Sequence, residues 1–151
     1  NKNLYVDSGD YIVMIVGGPN ARKDFHFNET EELFYQLEGD IKVTIQEDGK
    51  AVEIPIKEGE MFLLPACVPH QPSRPAGSVG LVIECKREDE NMLDGLQWYC
   101  EKCNDKLHEH KFHLTNIEKD FLPRFREFYG STQLRTCKKC GTVMEADPRF
   151  V

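Results

Sequence analysis

Two stretches of this 151-residue chain place metal-ligand side chains beside a glycine turn. One runs His26-Phe27-Asn28-Glu29-Thr30-Glu31-Glu32 and reaches Gly39; the other runs from Gly59 through Pro65 to His70 and Arg74. Together they offer two imidazoles and one carboxylate: His26, His70 and Glu32. Such a set holds a divalent first-row metal on one face and leaves positions open opposite, which favours Fe(II) and oxygen chemistry. Charged groups flank the set. Arg22 lies four residues before His26, and Arg74 four residues after His70. A guanidinium binds a carboxylate bidentately, so two arginines beside two metal ligands point to an anionic substrate. Glu84 ends the apolar run Val79-Gly80-Leu81-Val82-Ile83 and is a candidate base. Asp24 shares the turn of Arg22 and is placed to orient it.

A second constellation is made of sulfur. Cys100-x2-Cys103 and Cys137-x2-Cys140 form two knuckles, the spacing of a tetrahedral four-thiolate site for zinc or for iron. A closed thiolate shell leaves no room for substrate, so the site reads as structural. A nucleic-acid-binding ribbon and a pair of disulfides are the competing readings. Cys67 and Cys85 fall outside the knuckles and read as packing residues.

The elements that must position these groups are mostly strands. Tyr11–Val16 is a short apolar run closed by Gly17-Gly18-Pro19-Asn20, and Glu32–Leu37 is stopped by Glu38-Gly39-Asp40. Ile41, Val43 and Ile45 alternate with polar residues, the period of a half-buried strand. Asp48-Gly49 signals a hairpin, after which Val52, Ile54 and Ile56 continue the alternation. Met61–Leu64 and Val79–Glu84 are further strands. Strands at this spacing joined by glycine turns predict an all-β sandwich or small barrel. The character changes near Asn91, giving a division into residues 1–95, a catalytic barrel, and 96–151, a sulfur-bearing segment packed on it. There Ile117, Phe121, Phe125 and Phe128 share a helical face. Thr115 and Glu118 suggest a capping box, and Pro123 predicts a helix that starts or kinks at that residue.

Length and composition fit one domain with a small appendage. The net charge of -7 argues against nucleic acid as a partner, and no apolar run reaches membrane-span length. Six cysteines without a visible signal peptide favour the cytoplasm. Asn1 stands where an initiator Met is expected, which suggests that an N-terminal segment is absent.

The spacing His26-x-Asn28-x3-Glu32-x6-Gly39 with Gly59-x5-Pro65-x4-His70 resembles the two halves of the cupin signature. Asn28 replaces the second His of the usual first half, and the usual Gly near Cys67 is absent. The resemblance implies a double-stranded β-barrel, or jelly roll, with a small C-terminal helix and the four-cysteine knuckle. A narrower resemblance covers nearly the whole chain. Val16 to His26, Glu32 to Gly39, Phe62 to Arg74, Gly80 to Glu84 and Leu93 to Cys100 are similar to motifs of the 3-hydroxyanthranilate 3,4-dioxygenase family, with Phe25 in place of Tyr and Gln71 in place of Ser.

That resemblance implies opening of an aromatic ring by both atoms of O2 at Fe(II) held by His26, Glu32 and His70. It implies that Arg74 pairs with the substrate carboxylate and that Glu84 takes the hydroxyl proton. Arg22 then handles O2 or the charge developing on it, and Phe34 and Val16 wall the ring. The product cyclises without enzyme to quinolinate, an NAD precursor of the kynurenine pathway. The family is commonly a homodimer. Another metal-dependent cupin enzyme, or a metal-bearing protein that binds a small acid, are the alternatives.

Overall fold

Alternating apolar residues build two sheets with a core between them. The structure, a computed structural model, describes residues 1–151, with the side chain of Glu118 outside the described residues. In chain order the strands are β1 (Lys2–Asn3), β2 (Tyr11–Gly17), β3 (Phe25–Phe27), β4 (Glu32–Glu38), β5 (Ile41–Glu47), β6 (Lys50–Ile56), β7 (Met61–Leu64), β8 (His70–Ser73), β9 (Val79–Cys85), β10 (Asp94–Tyr99) and β11 (Lys106–Phe112). Helices α1 (Ile117–Gly130) and α2 (Thr132–Arg135) follow, then a single 3-10 turn over Pro148–Phe150. One sheet has the order β1-β2-β9-β4-β7, the other β11-β10-β3-β8-β5-β6. Met14, Val16, Phe34, Leu64 and Val82 from the first pack against Ile41, Val43 and Ile56 from the second. This is the cupin double-stranded β-barrel.

Local chemistry explains the connections. Asp48 and Gly49 both have positive φ, 51° and 76°, the conformation that a two-residue hairpin between β5 and β6 requires. Pro55 is tolerated inside β6 because that strand is the sheet edge, where no partner needs its missing N–H. Gly18 in the β2–β3 turn has no alternative: a Cβ there would stand 1.9 Å from the Pro75 carbonyl oxygen.

β10 crosses the expected division at residues 95 and 96, pairing with β3 on one side and β11 on the other. The face of β10 that carries Leu96, the same face as His26, is covered by α1 in a second cluster, where Leu96 and Trp98 meet Phe121, Phe125 and Phe128. Trp98 and Phe128 stack with ring centroids 4.3 Å apart. Helix α1 starts at Ile117, six residues before Pro123, because Asn116 caps it: its side chain accepts from the Lys119 N–H at 3.0 Å. The Asp120 carboxylate then accepts from the Thr115 and Asn116 N–H groups and fixes the approach to the helix. The cap is therefore Asn116, not Thr115; the side chain of Glu118, the other half of the expected box, lies outside the described residues.

Candidate metal centre and active site

The ligand set is assembled from both sheets. In the six-stranded sheet His26 stands directly across from His70 of β8 and from Leu96 of β10. In the five-stranded sheet Glu32, the first residue of β4, stands across from Glu84 of β9 and Leu64 of β7. All four polar side chains point into the barrel, and one ligand atom from each of His26, Glu32 and His70 lies within 4.8 Å of the others. Glu32 and His70 are 7% and 2% exposed.

The hydrogen bonds show what these groups are prepared to hold. His70 Nδ1 lies 3.0 Å from the Val68 carbonyl oxygen, which can only accept, so the ring proton sits on Nδ1. That leaves the Nε2 lone pair facing Glu32 Oε2 at 2.9 Å, an oxygen that is buried with no hydrogen-bond partner among the described residues. A buried imidazole nitrogen and carboxylate oxygen this close need a shared proton or a cation. His26 Nε2 lies 2.5 Å from Asp94 Oδ2, the carboxylate–histidine contact that orients a ligand imidazole and leaves Nδ1 free. Burial works to raise the Glu32 carboxyl, but His70 outweighs it and holds Glu32 below the usual range. The same pair keeps His70 above its usual value against burial. The donor set fits a divalent metal.

Behind the ligands runs a buried ionic chain. Arg87 donates to Asp94 at 2.9 Å and 2.7 Å and to Glu84 at 3.1 Å. Asn28 Nδ2 donates to Glu84 at 3.4 Å, so the residue that replaces the cupin's extra histidine holds the candidate base instead. Burial, and then the charge of Glu32, push the Glu84 carboxyl up despite Arg87. Burial works against the charge of Arg87, but Asp94 and Glu84 raise its pKa above the usual value.

Arg74 is 3% exposed, and its guanidinium's only hydrogen bond among the described residues goes to Gln36 Oε1 at 3.4 Å. Gly80 makes room for it: a Cβ there would stand 2.7 Å from both Arg74 Nη1 and Gln36 Oε1. A buried guanidinium without a carboxylate partner is matched to an anion brought by a ligand. Arg22 lies over the faces of Phe121 and Phe125 of α1, 5.7 Å and 5.2 Å from the ring centroids, with Asp24 Oδ1 3.3 Å from its Nε. An open cavity of about 820 Å³ is lined by Val16, Arg22, Arg87 and Ile117 among others.

The four knuckle cysteines converge on a second centre. Cys100 and Cys140 have Sγ atoms 3.6 Å apart, as do Cys103 and Cys137, far beyond the roughly 2.05 Å of a disulfide. Tetrahedral ligation at about 2.3 Å requires sulfurs roughly 3.8 Å apart, close to what is seen. The two knuckles repeat one geometry. Asn104 N–H donates to Cys100 O and Gly141 N–H to Cys137 O, both at 2.9 Å. Asn104 and Gly141 both have positive φ, 62° and 78°. Hydrogen bonding with Thr142 pushes the Cys140 thiol down to about 6, whereas at Cys103 a backbone hydrogen bond with Asp105 works to lower the thiol but burial and the neighbouring thiols push it up to about 12. The disulfide reading is thereby excluded.

The family model described as 3-hydroxyanthranilic acid dioxygenase matches residues 1–129. The chain belongs to the 3-hydroxyanthranilic acid dioxygenase family. It is 54% identical over 148 residues to the 3-hydroxyanthranilate 3,4-dioxygenase of Xanthomonas campestris pv. campestris (strain B100), covering 98% of this chain and 84% of the relative. The Neurospora crassa protein of the same name is 46% identical over 147 residues, covering 97% of this chain and 81% of the relative. Among solved structures, a cupin-2 domain containing protein from Shewanella frigidimarina NCIMB 400 superposes with a TM-score of 0.46 at 21% identity, covering 56% of this chain and 83% of that one.

In this member of the 3-hydroxyanthranilic acid dioxygenase family, the structure brings His26, Glu32, His70 and Glu84 together. Phe34 meets His70 edge-on, with centroids 6.1 Å apart. Val16 and Arg22 stand at the cavity wall, whereas the three ligand residues and Arg74 lie outside that wall. Sequence reasoning missed Arg87, Asp94 and Gln36. Asp94 lies in the Leu93-Asp94-Gly95 motif, and an acid beside small and apolar residues was its one visible signal. Arg87 follows a strand end, where a cation reads as solvated.

Proposed function

We propose that this chain is an Fe(II)-dependent dioxygenase that opens the ring of 3-hydroxyanthranilate to 2-amino-3-carboxymuconate 6-semialdehyde, which cyclises without enzyme to quinolinate. The observation that carries the reading is the convergence of His26, Glu32 and His70 from opposite sheets, each offering one ligand atom within 4.8 Å of the others. Family membership supplies the substrate class. Iron held there by His26, Glu32 and His70 would supply the redox chemistry that lets O2 react with the aromatic acid.

The chain's own residues do the rest. Arg74 binds the substrate carboxylate, replacing its weak contact with Gln36 by a charge-assisted pair. Glu84, held above its usual value by burial, accepts the 3-hydroxyl proton and leaves the ring electron-rich. Arg22, fixed between Asp24 and two phenylalanines, stabilises negative charge developing on dioxygen. Phe34 and Val16 provide apolar walls that exclude water. Cys100, Cys103, Cys137 and Cys140 hold zinc, or iron, as a structural centre of the 96–151 segment. We place the protein in the cytoplasm on the strength of its free thiols. Among the described residues no helix is long and apolar enough to cross a membrane. We also assign it a homodimer through the outer face of the five-stranded sheet, where Leu63 pairs with Leu33 and Met61 with Tyr35 while Leu63 and Met61 remain 54% and 66% exposed.

An oxygen electrode tests the activity. Iron-loaded protein should consume O2 only when 3-hydroxyanthranilate is added, and His26→Ala should lose iron and activity together. Full activity in an iron-free variant, or tight substrate binding without oxygen uptake, would overturn the reading.

A further inference from the structure

One more set of ligand side chains meets away from both centres, at the seam between β11 and α1. We propose that His108, His110 and Glu127 form a third metal site, which takes a late first-row divalent cation and zinc by preference. One ligand atom from each lies within 4.8 Å of the others.

The placement is unusual for ordinary imidazoles. His108 pairs in register with Trp98, and His110 with Leu96, both partners fully buried. Side chains two apart on a strand share a face, so both imidazoles look toward the apolar seam that α1 covers. An alternating strand should put aliphatic residues there. Instead the His108 ring lies along Phe128, with centroids 6.1 Å apart and planes 16° apart, and meets His110 edge-on at 4.8 Å. The Nε2 atoms of both histidines are buried with no hydrogen-bond partner among the described residues. A buried nitrogen left so is destabilising, and a shared cation removes that cost.

Glu127 completes the set from the helix. Its Oε2 is 2.6 Å from His110 Nε2, within ion-pair reach. An ion pair alone would leave His108 Nε2 orphaned, whereas a cation uses all three groups. Zinc accepts two imidazoles, one carboxylate and a water in a tetrahedron, with ligand bonds of about 2.0–2.2 Å. Those bonds spread the nitrogen and oxygen to roughly 3.3 Å, a movement that the 55%-exposed Glu127 side chain can make without disturbing the seam. The thioether and thiolate ligands that would favour copper(I) are absent from the set, and calcium prefers oxygen. Bound there, the ion ties the sheet to the helix whose Phe121 and Phe125 support Arg22.

The test counts metal in protein whose barrel and four-cysteine sites are already filled. Titration with Zn2+ should bring wild type to three metals per chain and raise its melting temperature. Glu127→Gln should bind the third ion at least tenfold more weakly, since even groups that only orient ligands cost 10–100-fold. His110→Gln should stop at two metals per chain while keeping its circular dichroism spectrum. Cobalt at the third site should give weak d–d bands without the intense thiolate charge-transfer absorption of the knuckle. Two metals per chain in wild type, or three in both variants with unchanged affinity, would overturn the proposal.

Discussion

At Glu84, the proposed base, a carboxylate sits beside another carboxylate and burial raises its pKa, with Arg87 and Asn28 fixing its direction. Removing the base should slow the chemical step rather than binding: Glu84→Gln lowers kcat about 10²–10⁴-fold with KM nearly unchanged, measured by steady-state oxygen uptake. Arg74 should show the opposite split. Arg74→Ala raises KM by the equivalent of about 2–5 kcal/mol and changes kcat less, because the lost pair is made to the ground-state carboxylate. Unchanged kinetics in both variants would refute the assigned roles. Asp94 orients His26 and also holds Arg87, so Asp94→Asn should reduce iron affinity roughly 10–100-fold in a chelator competition while leaving the knuckle metal in place. Cys67, the residue that stands where the cupin pattern has glycine, adopts φ 62°. A left-handed non-glycine residue costs about 1–2 kcal/mol, and glycine's extra chain entropy returns about half of that. Cys67→Gly should therefore stabilise the protein slightly, seen as a small rise in melting temperature at unchanged iron content.

The elements were legible where one face is wet. β2, β4, β5, β6, β7 and β9 all show apolar alternation or bounded apolar runs, and their observed ends differ from the sequence reading by a residue or two. β3 and β8 are three and four residues long and built around histidines, so they carry no periodic signal. β10 is buried on both faces and loses its alternation for that reason. The residues of the candidate ligand set were readable because they are rare types at fixed spacing, and the fold brings them together. The ionic chain behind it was not, because Arg87 and Asp94 owe their role to burial, which a sequence does not print. Proline misled the reading of α1, since Pro123 is accommodated inside the helix while Asn116 sets its start. Asn116→Ala should cost about 1 kcal/mol, read from chemical denaturation. Gly18→Ala should cost more, at least about 2 kcal/mol, because the clash is with backbone that cannot rotate away.

On the scale of the whole molecule, the two candidate metal sites are joined through α1. The four-cysteine centre anchors the chain on both sides of the helix, at Cys100 and Cys103 before it and at Cys137 and Cys140 after it. The helix in turn packs Phe125 against Trp98 and presents Phe121 and Phe125 to Arg22. Ile117 also touches the barrel core, so the helix start covers the barrel interior. Binding energies of about 10–16 kcal/mol are typical of structural zinc in small domains, enough to decide whether such a segment is ordered. Its loss should reach the active site through Arg22 and not through the iron ligands, which all lie on barrel strands or at their first residues. Cys137→Ser should lower the melting temperature and kcat/KM together while the barrel keeps its iron. His26→Ala should do the reverse, losing iron and turnover with the knuckle metal retained. Metal analysis of the two variants beside their kinetics separates the centres: if Cys137→Ser also empties the barrel, the route through α1 and Arg22 is wrong, and the knuckle instead supports the six-stranded sheet that carries both histidines.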